Sequence, residues 1–123
     1  MNLNSILIGS DDAPRLAAYY TKLFGTPGWD DGGYVGWQIG NGGLTVGPHS
    51  EVTGKNLQPG RLIVNIESPD VRADFERFKA AGATVVAEPY DFEQARGTWI
   101  ATFSDPDGNY FQLISPMTME PNP

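Results

Sequence analysis

A chain of 123 residues with 40% apolar side chains is long enough for one globular domain with a core of its own. It contains no cysteine, which excludes disulfides, thiolate metal sites and a cysteine nucleophile. A net charge of −7 without a basic cluster argues against a nucleic-acid partner, and no run approaches the ~18 apolar residues of a membrane span. The beginning, MNLNSILIGSDD, has no basic lead and only a short apolar run. No secretory leader is therefore expected, and a cytoplasmic protein is. The acidic balance serves solubility first, and it would also draw a cationic small molecule.

In chain order, LNSILIG is a short apolar run closed by Gly9 and predicts a strand. SDDAPRLAAYYTKLFG predicts a helix, because Leu16, Tyr20, Leu23 and Phe24 recur on one face. Ser10 to Asp12 supply capping oxygens, Pro14 suits a first turn and Gly25 suits the exit. Three short strands follow, around Trp29, in YVGWQI and in GLTVG, with DDGG and GNGG as hairpin turns between them. PHSEVTGKNLQPG has mixed polarity and two prolines and predicts a loop.

RLIVNIE then predicts a strand. SPDVRADFERFKAAG predicts a helix with Ser68 as N-cap, Pro69 in its first position and Val71, Phe75 and Phe78 on its buried face. ATVVAEPY, TWIATFSD and NYFQLIS predict three more strands, and the tail PMTMEPNP has no periodicity. The order strand, helix, strands thus occurs twice. Ser10 and Ser68, Asp12 and Asp70, and Tyr20 and Phe78 are each 58 residues apart. The expectation is one domain over 1–123, divided into a first βαβββ unit (1–49), a linker (50–60), a second βαβββ unit (61–115) and a tail (116–123). A half-buried sheet in each unit must cover its apolar face.

Asp105-Pro106-Asp107-Gly108 suits a type I turn, with an acceptor at the first position, a preset φ at the second and glycine at the exit. Together with GTWIAT before it, NYFQLISP after it and SDDAPRLAAYYTKLFG near the start, this stretch resembles the vicinal oxygen chelate superfamily. That group includes glyoxalase I, extradiol dioxygenases and bleomycin-resistance proteins, and the resemblance spans nearly the whole chain. It implies an α+β fold in which two βαβββ repeats form an open, eight-stranded, barrel-like cup, and it implies a homodimer.

In metal-dependent members of that superfamily, four inward positions supply His, Glu or Gln to a divalent ion. The resemblance carries these positions to Ser5, Ile63, Val46 (or Thr45, one residue away in register) and Gln112. Divalent sites of this kind need about three or more protein ligands, and an anionic carboxylate helps offset the ion's charge. Gln112 is neutral, Ser5, Ile63 and Val46 offer nothing comparable, and the single histidine, His49, follows a proline outside the predicted strand. No metal and no other cofactor is expected.

Alternation puts Tyr110, Gln112 and Ile114 on one face, which the resemblance turns inward. Gln112 then offers an amide that both donates and accepts. Tyr34 and Trp37 on YVGWQI, Trp99 on TWIATF, and Tyr110 are candidate aromatic walls, because Tyr and Trp combine an apolar body with a polar tip. Arg61 and Asn65 share the parity of Ile63 and are candidate polar contacts, Arg61 at the rim.

The pairs Asp11-Asp12 and Asp30-Asp31 read as a helix start and a hairpin turn rather than as facing catalytic carboxylates. No G-x-S-x-G, P-loop or dinucleotide-binding glycine pattern occurs. No base–nucleophile constellation assigns a catalytic residue. The sequence therefore reads as a cup that holds a small aromatic or cationic molecule, by sequestration in the sharpest version. The alternatives are a metal-dependent lyase, isomerase or dioxygenase of the same superfamily, and a structural dimer with a vestigial pocket.

Overall fold

The computed structural model describes residues 1–116, so the expected tail lies, from residue 117 on, outside the described residues. Two units divide the chain. The first comprises residues 1–57 together with Asp105–Asn109, and the second comprises Gln58–Ser104 and the described residues from Tyr110 to 116. The class is α+β with two βαβββ units, as expected.

In the first unit, β1 (Ser5–Ser10) leads into α1 (Ala13–Phe24), followed by β2 (Trp29–Asp31), β3 (Tyr34–Ile39) and β4 (Gly42–Pro48). The second unit opens with a short 3₁₀ turn, Pro59–Arg61, then runs β5 (Val64–Glu67), α2 (Val71–Ala80), β6 (Thr84–Asp91), β7 (Trp99–Ser104) and β8 (Tyr110–Ile114). The sheet orders are β1-β4-β3-β2 and β5-β8-β7-β6, so the repeat seen in the sequence is a repeat of topology. In each sheet the first strand pairs parallel with the last, and the other pairings are antiparallel.

Each core lies between one helix and one face of its sheet. In the first unit, Leu16, Tyr20 and Leu23 of α1 are buried with Trp37, Leu44 and Val46 of the sheet. Tyr20 meets Trp37 edge-on, with centroids 6.2 Å apart. In the second unit, Phe75 and Phe78 of α2 pack on Phe103 and Phe111, with centroids 5.5 to 6.3 Å apart. Burying one such side chain is worth about 1.5–3 kcal/mol, so these faces decide which way each sheet turns.

The helix starts correct one expectation. Asp12 caps α1 by accepting from the Arg15 amide, and Asp70 caps α2 by accepting from the Ala73 amide. Ser68, expected as the cap, stands two residues earlier. Its hydroxyl accepts from the Asp70 amide at 3.2 Å and donates to Asp74 at 2.6 Å. Pro69 therefore precedes the cap rather than opening the helix. An aspartate two residues past a serine reaches the first-turn amides, while the serine holds the aspartate's own amide.

The strand expected over RLIVNIE begins only at Val64, because Gln58–Arg61 closes a turn in which the Arg61 amide donates to the Gln58 carbonyl. β6 runs on to Asp91 through Pro89, which an edge strand tolerates, with register shifts on either side of Ala87.

Candidate functional site

Alternation gives each sheet a second face, turned away from its helix. In the first unit Leu7, Thr45 and Gly36 lie side by side across β1, β4 and β3 on that face. Trp29 is the cross-strand partner of Gly36. A Cβ on Gly36 would fall within 1.9 Å of the Trp29 ring, and one on Gly47 within 2.0 Å of the Tyr34 ring. The two rings therefore occupy the space of absent side chains and lie against the glycine backbone of the sheet. Trp29 stays 40% and Tyr34 39% exposed, and Leu7 beside them is exposed as well. The Tyr34 hydroxyl donates to the Pro48 carbonyl at 3.3 Å. Glycine here removes a barrier between ring and strand, and an aromatic surface with one polar tip results.

The equivalent row in the second unit is polar. Asn65, Gln112 and Thr102 lie side by side across β5, β8 and β7. The Gln112 side-chain amide donates to the Thr102 hydroxyl at 3.0 Å. Tyr110 and Ile114 flank Gln112 on the same face by alternation, and Ile100 pairs with Ile114. Thus Gln112 is an amide in a polar row, bonded to a neighbour.

The turn that opens β8 does different work. Asp105 and Asp107 are buried in the first unit. Asp107 accepts from the Ser10 hydroxyl at 2.5 Å and from the Arg15 guanidinium at 2.8 Å. Asp105 accepts from the Tyr20 hydroxyl at 2.6 Å and from the Asp107 and Asn109 amides. Burial, and after it the Asp105 charge, push the Tyr20 phenol well above its ordinary pKa. These carboxylates are engaged in structure. A depression of about 320 Å³ beside them is lined by Gly9, Val52, Lys55, Asn56, Asp107 and Asn109 among others, and shares neither Trp29, Tyr34 nor Thr45.

The sequence-derived candidates separate by face. Tyr34, Asn65, Tyr110 and Gln112 are on the faces turned from the helices. Trp37 is not: it is 2% exposed under α1 and donates its indole N–H to the Gly25 carbonyl at 2.9 Å. Trp99 shares the parity of Phe103 on the α2 side, with the Arg72 guanidinium 4.3 Å over its ring. Val46 is fully buried on the α1 side, so the position equivalent to Gln112 is Thr45. Ser5 is exposed at the start of β1, on the face of Leu7. Ile63 lies just outside β5 and is half-buried, and Arg61 is exposed and bonded twice to Gln58.

Trp29, Thr102 and Leu7 were not singled out in the sequence. Their signal was the facing glycine and the pairing register, neither of which a single strand displays.

The donor set does not fit the divalent ion of metal-dependent relatives. The row in the first unit holds Leu7, Thr45 and Gly36, and that in the second holds Asn65, Gln112 and Thr102, with no carboxylate or imidazole in either. Among the described residues no three His, Cys, Asp or Glu side chains converge as a metal cluster. His49 is exposed, and its Nδ1 accepts from the Glu51 amide. No helix among the described residues is long and apolar enough to cross a membrane.

Paired βαβββ units with this strand order define the glyoxalase/bleomycin-resistance fold of the vicinal oxygen chelate superfamily. The chain belongs to the glyoxalase-like domain family, whose model matches residues 5–114. Among solved structures it is similar to a glyoxalase/bleomycin resistance protein/dioxygenase family enzyme from Burkholderia phytofirmans PsJN (20% identity, TM-score 0.73, 95% of this chain and 100% of the other). A glyoxalase-related enzyme from Fulvimarina pelagi is similar at 18% identity and TM-score 0.74, over 99% of this chain and 96% of the other. TioX from Micromonospora sp. ML1 is similar at 19% identity and TM-score 0.71, over 95% and 100%. No curated protein matches the chain in sequence.

Proposed function

We propose that this protein binds a small aromatic or cationic organic molecule without a metal ion, and that it acts by holding the molecule rather than transforming it. The observation that carries this reading is the exposed pair Trp29 and Tyr34, each ring laid on a glycine of the first sheet. Two rings fixed on a rigid sheet lose little conformational entropy when a planar ligand stacks on them. A cation above such rings gains a further ~0.5–2 kcal/mol, and the net charge of −7 favours its approach. The absence of carboxylate and imidazole from both rows supports a metal-independent site. Sequestration requires affinity and no catalytic group, which agrees with the lack of a base–nucleophile pair. A homodimer, as the superfamily resemblance implies, is part of the proposal and is tested by sedimentation.

Titration of the intrinsic fluorescence with a planar aromatic cation such as proflavine tests the reading, beside elemental analysis of the purified protein before and after exposure to Mn, Fe, Ni and Zn. Saturable quenching that Trp29→Ala abolishes, with no retained metal, is the expected result. Near-stoichiometric metal that a chelator removes would overturn the metal-free assignment and favour a lyase, isomerase or dioxygenase.

A further inference from the structure

The geometry points to a recognition element within the second unit: the row Asn65–Gln112–Thr102 reads the neutral amide edge of a small organic molecule, a group that gives and takes a hydrogen bond at once. This rests on the reading that the protein binds a small organic molecule, and it adds the chemical class of the group recognised.

Three adjacent strands bring the row together. Asn65 is the parallel partner of Gln112, and Gln112 is the antiparallel partner of Thr102. Neighbouring strands stand about 4.8 Å apart, so carboxamides on adjacent strands can approach one planar amide together, one at its oxygen and the other at its N–H. Phe111 and Leu113 are buried on the α2 side, which commits Gln112 between them to the opposite face.

One N–H of Gln112 is spent on the Thr102 hydroxyl, which orients the side chain. Its Oε1 accepts no hydrogen bond from the described residues, and the Asn65 carboxamide, which is exposed, makes none. An oriented carboxamide beside a free one presents both a donor and an acceptor. None of the three carries charge. Glu67, the charged side chain on this face of β5, sits at the strand's end, opposite Ile114. A carboxylate ligand would find no cationic partner on the row, and a ligand with acceptors alone would leave the carboxamide oxygens unmatched. Half-buried Ile114 and Tyr110 on either side of Gln112 supply an apolar floor along the strand.

The test compares three aromatic probes of nearly the same shape: nicotinamide, methyl nicotinate and nicotinate. Binding is followed through the side-chain amide signals of Asn65 and Gln112 in ¹⁵N-labelled protein. Nicotinamide is expected to bind about tenfold more tightly than the ester, the effect of roughly one well-made hydrogen bond, and to shift both signals. Gln112→Leu and Asn65→Leu should each erase the preference, bringing the amide's affinity down to the ester's; Asn65 is exposed, so its substitution costs the core nothing. Equal binding of amide and ester, or a preference that survives in both variants, overturns the amide-reading row while the binding reading stands. Proflavine bound with no nicotinamide bound overturns it in the same way. If neither proflavine nor any of the three probes binds, the binding reading fails and the row with it.

Discussion

The two units share an architecture and differ in how each is finished. In both, a buried serine stands at or just past the end of the first strand, an aspartate two residues later caps the helix, and a large aromatic, Tyr20 or Phe78, is buried beneath it. In the second unit Ser68 donates to Asp74, in the first turn of its own helix. Position 16, which corresponds to Asp74, is leucine, and Ser10 instead takes an acceptor from Asp107, 97 residues away. Phe78 needs no polar partner, whereas the Tyr20 hydroxyl requires one and finds Asp105. One unit is thus closed by local contacts, and the other depends on a turn from far along the chain. A repeat conserves the geometry that apolar packing demands. The polar contacts are free to diverge, provided every buried polar group finds a partner.

That contrast is open to four measurements. The largest effect is expected from Asp107→Ala, which leaves the buried Ser10 hydroxyl without its acceptor and Arg15 without its nearly buried partner. Urea denaturation should show a loss of about 3 kcal/mol, within the range for breaking a buried charged network from one side. A loss under about 1 kcal/mol would mean that the remote turn is dispensable.

Gly36→Ala comes next. The new methyl group overlaps the Trp29 indole, so the ring must leave the sheet, at about 1–3 kcal/mol. Proflavine quenching should disappear in this variant. Retained quenching would show that the stacked ring is not the binding surface.

Tyr20→Phe sharpens the comparison through pH. The folded pKa of Tyr20 is raised above the unfolded value of about 10. Its stabilising contribution is therefore complete below pH ~10, where both states hold the proton. It falls as pH rises further, because only the unfolded state releases the proton. Above that pH the wild-type protein should lose about 1.4 kcal/mol per pH unit more than Tyr20→Phe does. Parallel curves would mean that Tyr20 ionises in place.

The smallest effect is expected from Asp74→Ala, which removes the local partner of Ser68. Asp74 is part-exposed, and water can replace it, so the cost should be about 1 kcal/mol. A loss equal to that of Asp107→Ala would erase the distinction between local and remote closure.

Much of the fold could be read from particular residues. Leu16, Tyr20 and Leu23 mark the buried face of α1, and Val71, Phe75 and Phe78 that of α2, because helical period and burial are the same information. The cap at Asp70 was missed by two residues because Ser and Asp both suit the role, and only the backbone distance separates them. The site was harder to read. Tyr34 and Trp37 are an odd number of residues apart, so a regular strand sends them to opposite faces. Both were expected in one pocket on residue type alone. Trp99 has the same parity as Phe103, yet nothing in the strand itself says which face a helix will cover.

Local periodicity in the sequence by itself determined the elements and their order twice over, since these follow from residue type and spacing along one chain; the family, and with it the weakness of the metal donor set, came from the resemblance carried by particular motifs. Tertiary structure alone decided which side of each strand is open, that Trp29 lies on Gly36, that Asn65, Gln112 and Thr102 form one row, and that Asp105 and Asp107 complete the first unit. The physical reason is that pairing register and helix placement are settled by packing between segments distant in the chain. A shift of one residue in register would exchange every side chain between the two faces.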